Sequence, residues 1–375
     1  MRFKDNIDIR EALTFDDISL TPTYSDIVTR SDCDLSVDLG AGVILSTPVV
    51  ASPMKAVCGA EMALAIGKLG GIGIIHRFCT LEEQVEMVKS VRDRLYVWRQ
   101  GRGEESKIIG SGTMLTTDPI GAAIGVSDYE YRVRAAALIA AGANVINLDV
   151  AHGHHILSKV AISYLKRAFP DVHIMSGAVC TKEAIYDLSE WGATSVRCGV
   201  GSGSACETRI RTGIGIPQAT AIIECAEAAD AEGLTIIADG GLRAVGDVAK
   251  ALALGSNAVM LGSILSGAKE TPGEIMKEGV WPNERLYKVY MGSASFAAKM
   301  DRNEKTKNIE GTSMRVPYKG KVKRVVNDIN DGVRSSMSYV GARDISQYQH
   351  NAKFVKTTQS GIVEASPHGV SRSNA

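Results

Sequence analysis

Cys206 is the residue whose type and setting most clearly suggest chemistry. It stands in the run Gly199-Val200-Gly201-Ser202-Gly203-Ser204-Ala205-Cys206-Glu207-Thr208-Arg209, directly after a short, mostly apolar segment, Ala193–Cys198. Alternating glycines let the backbone take positive φ and pass close to a ligand. A thiol on such a loop, exposed and near polar donors, is suited to nucleophilic attack. A glycine turn that happens to carry a cysteine is the plainer alternative.

Short apolar segments alternate with amphipathic ones and must position that loop. Candidate strands are Pro48–Ala51, Gly73–His76, Gly121–Val126, Asn144–Asp149, His173–Ser176, Thr194–Cys198, Thr235–Asp239 and Ala258–Leu261. Between them lie helix-like segments Ala60–Lys68, Leu81–Val91, Tyr129–Ala141, Ile156–Ala168, Lys182–Trp191, Gln218–Ala231 and Val245–Leu254. Strands that are apolar throughout call for a parallel sheet covered by helices. Closure into a (β/α)8 (TIM) barrel is economical at this length, with the whole chain, 1–375, as one domain. A doubly wound open sheet is the alternative, but there the Gly-rich loop belongs after the first strand, not the sixth.

Barrel enzymes build their sites at the C-terminal ends of the strands. Asp149-Val150-Ala151-His152-Gly153-His154-His155, the cysteine loop, Asp239-Gly240-Gly241 and Gly262-Ser263 all fall there. Each alone could be a simple turn. The three histidines resemble a metal cluster, but a polar strand end facing a ligand is the better reading, since no carboxylate stands at a supporting helical spacing. Two regions depart from the repeat. Residues 92–117 read as a surface connection, and the tail from about Glu270 shows no barrel pattern. Within that tail, about 296–316 is a charged stretch suited to a flap, and 370–375 reads as disordered.

The chain has 375 residues, 45% hydrophobic and 22% charged, with 42 acidic and 42 basic side chains. Balanced charge without a basic block excludes nucleic acid or an anionic membrane as the main partner. No apolar run is long enough to span a bilayer, and the start lacks the apolar stretch of a signal peptide. Seven scattered cysteines with no CxxC pair suggest neither a zinc site nor a disulfide framework. A cytoplasmic location is the expectation.

The chain resembles the family of inosine monophosphate dehydrogenase and guanosine monophosphate reductase. The likeness is carried, in order, by Leu13-Thr14-Phe15-Asp16-Asp17, Gly71–His76, Asp149–His154, Gly199–Arg209, Asp239-Gly240-Gly241, Met260–Ser263, Tyr290–Ser293, Glu310-Gly311, Pro317–Gly320 and Tyr339–Ala342. The resemblance implies that Cys206 attacks C2 of a purine mononucleotide, with hydride passing between that carbon and a nicotinamide cofactor. It implies phosphate on Ser204 and the backbone amides around Gly241, Gly262 and Ser263, where oriented N–H groups suit an anion. Asp239 would take the ribose hydroxyls, and Tyr290, Met291, Gly292, Glu310 and Gly311 would face the substrate. Asp149, Val150 and Ala151 would face the cofactor. In the dehydrogenases a potassium ion is held by loop carbonyls, here those of Gly201, Gly203 and Cys206. The family also implies a homotetramer.

Dehydrogenases often carry a tandem CBS insertion after the second unit; only 92–117 fills that place. A dehydrogenase hydrolyses the thioimidate with an adjacent Arg-Tyr pair in its flap. A reductase releases ammonia, with a threonine and a glutamate near the cysteine moving protons. The flap here, Met300–Glu310, holds no Arg-Tyr pair, although Arg302 could be an unorthodox base. Thr208 and Glu310 are both present and permit the reductase step, but a threonine and often a glutamate stand there in dehydrogenases too, so the flap weighs most. The resemblance therefore points to a GMP reductase using NADPH, with Cys206, Thr208 and Glu310 catalytic. An IMP dehydrogenase using NAD, and a nucleotide-binding protein without turnover, are the alternatives. Lys55, Ala178 and Glu207 replace the family's usual Asp, Asn and Thr. An acid beside Cys206 would disfavour the thiolate unless Arg209 or loop amides offset it, or it points to solvent.

Overall fold

The computed structural model describes residues 9–103, 118–280, 282–301 and 309–365. Eight parallel strands close a barrel in sequence order: β1 (Val49–Ala51), β2 (Ile72–Ile75), β3 (Gly121–Ile124), β4 (Val145–Leu148), β5 (His173–Val179), β6 (Ser195–Cys198), β7 (Thr235–Asp239) and β8 (Ala258–Leu261). Every residue of β1 to β6 and of β8 is buried, because one face lines the interior and the other is covered by helices. That double burial is why these strands read as continuous apolar runs. The expected barrel is present, with β7 and β8 at the expected bounds and the other six strands shifted by one to three residues at an end.

The covering helices are α1 (Ala60–Lys68), α2 (Leu81–Gln100), α3 (Ala135–Ala141), α4 (Ile156–Ala168), α5 (Lys182–Trp191), α6 (Gln218–Glu232), α7 (Val245–Ala253) and α8 (Val322–Tyr339). Three differ from the sequence reading. The expected Tyr129–Ala141 segment is π-helical over Glu130–Arg134 before α3 begins, and α2 and α8 differ more. Helix α2 begins at a capping box between Thr80 and Glu83 and runs to Gln100, so the first part of the expected 92–117 connection is helical. Its charges, Arg92, Asp93 and Arg94, interrupt the apolar pattern, yet Leu95 continues the buried face of Val88 and Val91. Helix α8 lies in the tail that shows no barrel pattern, and it packs between α7 and α1 to complete the ring. Its buried residues Val322, Val326, Ile329, Val333 and Met337 form one helical stripe among polar neighbours. The flap separates α8 from β8, which hides the eighth unit from a repeat count.

The flap rises from an antiparallel sheet, β9 (Met276–Glu278), β10 (Arg285–Met291) and β11 (Ser313–Pro317). Lys288 on β10 is buried and donates to the carbonyls of Ala268 and Thr271, pinning the sheet to the turn that follows β8. Near the termini, Ile18–Thr21 pairs antiparallel with Lys353–Lys356. The expected disordered tail, 370–375, lies outside the described residues. Among those described, no helix is long and apolar enough to cross a membrane.

The N-terminal end of the barrel is plugged by the hairpin of Val37–Asp38 and Ile44–Leu45. His173 at the start of β5 reaches Gly40 O at 3.1 Å and Ser195 Oγ at 2.7 Å. Burial pushes its pKa down to about 4. The unfolded chain binds a proton near its ordinary value while the folded chain resists it. The neutral imidazole therefore contributes stability that is complete above about pH 6.5 and lost as pH falls toward 4. The expected loss is about 3 kcal/mol, measured by denaturant unfolding across that range. His173→Gln, which cannot titrate, should flatten that part of the profile; an unchanged slope would show that His173 is not its source.

Candidate active site

The cysteine loop is fixed by close backbone packing. Gly199 leaves β6 with φ +143°, and a Cβ there would lie 2.0 Å from Asp239 O at the end of β7. Gly240 has φ +99°, and a Cβ there would lie 2.5 Å from Ser202 Oγ. Two loops thus interlock where only glycine fits. Gly241 N donates to Ser202 O at 2.9 Å across the two loops, and Gln218 braces the cysteine loop, accepting from Ser202 Oγ at 2.6 Å and donating to Cys198 O at 2.8 Å. Gly199→Ala is expected to cost at least about 1–3 kcal/mol from backbone strain alone, before the clash. Thermal unfolding and nucleotide titration check it, and unimpaired binding would contradict the interlock.

The flap is stitched onto this loop. Cys206 and Gly311 form an antiparallel bridge, with Glu207 N donating to Glu310 O at 2.8 Å and Thr312 N to Ala205 O at 3.1 Å. The pairing brings Glu310 to the nucleophile across 102 residues of chain: Thr208 Oγ1 donates to Glu310 Oε2 at 2.8 Å. The Cys206 thiol donates to Thr208 Oγ1 at 3.2 Å. Thiol, hydroxyl and carboxylate therefore form a continuous route for a proton. Other cysteines are unsuited to this role. Burial pushes the thiols of Cys58, Cys79 and Cys180 up, the last two to about 11.

Three cavities meet at the barrel rim. One of about 150 Å³ is lined by Ser204, Asp239, Gly241, Gly262, Ser263 and Tyr290, with Arg243 and Met54 in addition. Tyr290 is buried, its hydroxyl 3.4 Å from Ser204 Oγ. A second, about 200 Å³, opens between Cys206, Thr208, Glu310, Gly292 and Gly311. The third, about 480 Å³, holds Asp149, Val150, Ala151, Gly201, Gly203, Cys206 and Thr208. All the sequence-derived site residues thus converge except Met291, which is not in the lining of these cavities and is half-buried against the core.

The third cavity also contains side chains that sequence reasoning missed: Arg77, Phe78, Arg197 and Lys299. Arg77 Nε lies 3.4 Å from Asp149 Oδ2 and its guanidinium stands over the Phe78 ring. Arg197 reaches both Asp149 and Asp239. A charged residue inside a mostly apolar barrel strand marked Arg197 as unusual, without indicating its role. Burial raises the Asp239 carboxyl above its ordinary range, Arg197 opposes that, and Asp149 adds to it.

With this geometry in place, the comparisons with known proteins are decisive. The family model for the IMP dehydrogenase / GMP reductase domain matches residues 12–368. The chain belongs to this family. Inosine-5'-monophosphate dehydrogenase of Nitrosopumilus maritimus (strain SCM1) is 33% identical, over 97% of this chain and 99% of the relative. The Cryptosporidium parvum enzyme of the same name is 36% identical over 96% of each chain. Among solved structures, a cysteine-to-alanine GMP reductase from Trypanosoma brucei in complex with guanosine 5'-monophosphate superposes with a TM-score of 0.87. It is 28% identical, over 98% of this chain and 100% of that one. Members of the IMP dehydrogenase / GMP reductase family are oxidoreductases that act on purine mononucleotides with nicotinamide cofactors. The first alignment runs to 478 positions and the second to 393, against 375 residues here. Dehydrogenases with and without a long insertion are thus both similar to this chain, and length alone does not separate the two activities.

The departures from the family pattern now have positions. Glu207 stands at the N-cap position of the short helix Thr208–Thr212 without a side-chain capping bond; its carboxylate pairs with Arg211 at 3.0 Å instead. Ala178 lines the third cavity, and Lys55 is exposed on the turn after β1. His154 Nε2 meets Asp187 on α5 at 2.6 Å, and the His155 ring accepts from Leu157 N, capping α4. The carboxylate partner absent at helical spacing thus comes from another element. Among the described residues no group of three or more His, Cys, Asp or Glu could hold a metal. The carbonyls of Gly201, Gly203 and Cys206 offer oxygen donors only; that of Gly203 already accepts the Cys206 N–H at 3.0 Å and has a second lone pair. Such donors suit a hard monovalent ion. Arg302 lies outside the described residues.

Proposed function

We propose that this chain is a GMP reductase, converting guanosine monophosphate and NADPH, with uptake of protons, to inosine monophosphate, ammonia and NADP. The observation that carries reductase over dehydrogenase is the flap sequence Met300–Glu310, which holds no Arg-Tyr pair; the hydrogen-bonded series Cys206, Thr208, Glu310 supplies the proton route that the step needs. Phosphate would sit against Ser204, Gly241, Gly262, Ser263 and the Tyr290 hydroxyl, with Asp239 accepting from the ribose. The Cys206 sulfur, its proton passed toward Thr208, adds to C2 of the purine. Glu310, through Thr208, protonates the C2 amino group, which leaves as ammonia and yields a thioimidate. The nicotinamide, when bound, supplies the hydride to C2 that displaces the sulfur. Asp149, Val150, Ala151 and Arg77 would hold that cofactor; the cavity beside Cys206 and the buried, unsatisfied Nε of Arg77 fit it. A potassium ion on the three loop carbonyls would brace the loop.

The names of the sequence relatives favour IMP dehydrogenase as the second reading. It needs a base to activate water, and the flap sequence offers no Arg-Tyr pair for that task. Covalent trapping and product analysis test the proposal. A 2-chloropurine nucleotide is expected to label Cys206 by mass spectrometry, and GMP with NADPH should give ammonia and inosine monophosphate in equal amounts. No adduct at saturating nucleotide would favour a binding protein without turnover; xanthosine monophosphate from IMP and NAD, with no ammonia from GMP, would replace reductase by dehydrogenase.

A further inference from the structure

Arg197 stands in β6, whose residues are all closed to solvent, and its side chain is 6% exposed. It faces two carboxylates on different strands. Its Nε lies 3.2 Å from Asp239 Oδ2 at the end of β7, and Nη1 lies 3.6 Å from Asp149 Oδ1 just after β4. Nη1 also donates to Asn147 Oδ1 on β4 at 3.2 Å. Among the described residues the buried Nε has no well-aligned hydrogen bond, so its 3.2 Å contact with Asp239 is an ion pair. The guanidinium also borders the cavity that joins Cys206 to Asp149. Close approach of β5 is possible because Gly177 has no side chain: a Cβ there would lie 2.8 Å from Arg197 Cβ.

We infer that Arg197 is a positioning residue linking the two ligand subsites: it orients Asp239 toward the nucleotide's ribose and Asp149 toward the cofactor, so that occupancy of one is felt at the other. This rests on the purine-nucleotide reading proposed above. The two carboxylates are not equally dependent on it. Asp149 has a second cation, Arg77, on its other oxygen. Facing Asp239 are Arg197 from β6, Asp149 after β4, the Cys198 thiol and the Tyr290 phenol. Arg243 lines the same cavity but is paired with Asp16 and Asp247. Among the described residues Arg197 is thus the cation that meets Asp239. Removing it lets burial and Asp149 push the Asp239 carboxyl further up, so the ribose acceptor is lost as pH falls through the raised value.

The test is calorimetric titration of the folded protein with GMP, with and without NADP, on wild type, R197Q and R197K. Wild-type affinity for GMP is expected to stay nearly constant from about pH 8 to pH 6, whereas R197Q loses about tenfold or more over the same interval. R197K restores the charge and the flat profile, but an ammonium cannot span both carboxylates, so the mutual effect of GMP and NADP, about fivefold or more in wild type, falls toward one. A flat profile in folded R197Q overturns the inference. Should R197Q fail to fold, R197K decides: an undiminished coupling between the two ligands overturns it, and a diminished one supports it. If wild type binds no GMP, the nucleotide reading itself fails and this inference with it.

Discussion

Cys206→Ala is expected to reduce turnover by about 10⁴-fold or more while leaving nucleotide affinity within a few-fold of wild type. The asymmetry follows from where the sulfur sits. Its contact in the folded protein is the Thr208 hydroxyl, and its side chain is only partly buried, so truncation removes little packing. The groups that would hold phosphate and ribose, Ser204, Gly241, Gly262, Ser263 and Asp239, line a cavity that Cys206 does not border. No other thiol is placed to substitute, because Cys206 is the one cysteine in the lining of the three cavities, and Cys58, Cys79 and Cys180 are moreover held protonated by burial. Steady-state kinetics with calorimetry on the same sample separate the two effects. Residual turnover near the wild-type rate would move the nucleophile elsewhere.

Glu310→Gln should lower turnover by about 10²–10⁴-fold with a small change in KM. The amide keeps the size of the carboxylate and still accepts from Thr208 Oγ1, so the 2.8 Å contact and the backbone pairing of Glu310 with Glu207 survive. What it removes is the proton that must reach the departing nitrogen. A Thr208→Ala variant breaks the same route one atom nearer the sulfur. Because the two act in series, the double variant should be little slower than the slower single one. Fully multiplicative losses would show that Thr208 and Glu310 act separately.

Much of the frame was legible because of how a parallel barrel is built. A strand buried on both faces is an unbroken apolar run, and seven helices with a strand on either side followed the pattern. The eighth was not legible: the Val322 to Met337 stripe is diluted by charge and displaced by the flap, so nothing local marks it as part of the barrel. Within the site, the cysteine loop, Asp149, Asp239 and Gly262 announce themselves as polar or glycine residues ending apolar strands. Thr208 and Glu310 came only from the family likeness. Their meeting depends on flap pairing across the rim, a long-range contact that no local pattern encodes. Arg197 and Arg77 were passed over because a single charge in or beside a strand has no period to betray its role, which becomes visible only once their distances to Asp149 and Asp239 are known.

The most direct measurement follows the near-ultraviolet absorbance of reduced nicotinamide with purified protein in two mixtures: GMP with NADPH, and IMP with NAD and potassium. Loss of absorbance in the first alone is the predicted result, and it would support ammonia release through Thr208 and Glu310. A gain in the second alone would contradict it, showing that the thioimidate is hydrolysed without an Arg-Tyr pair.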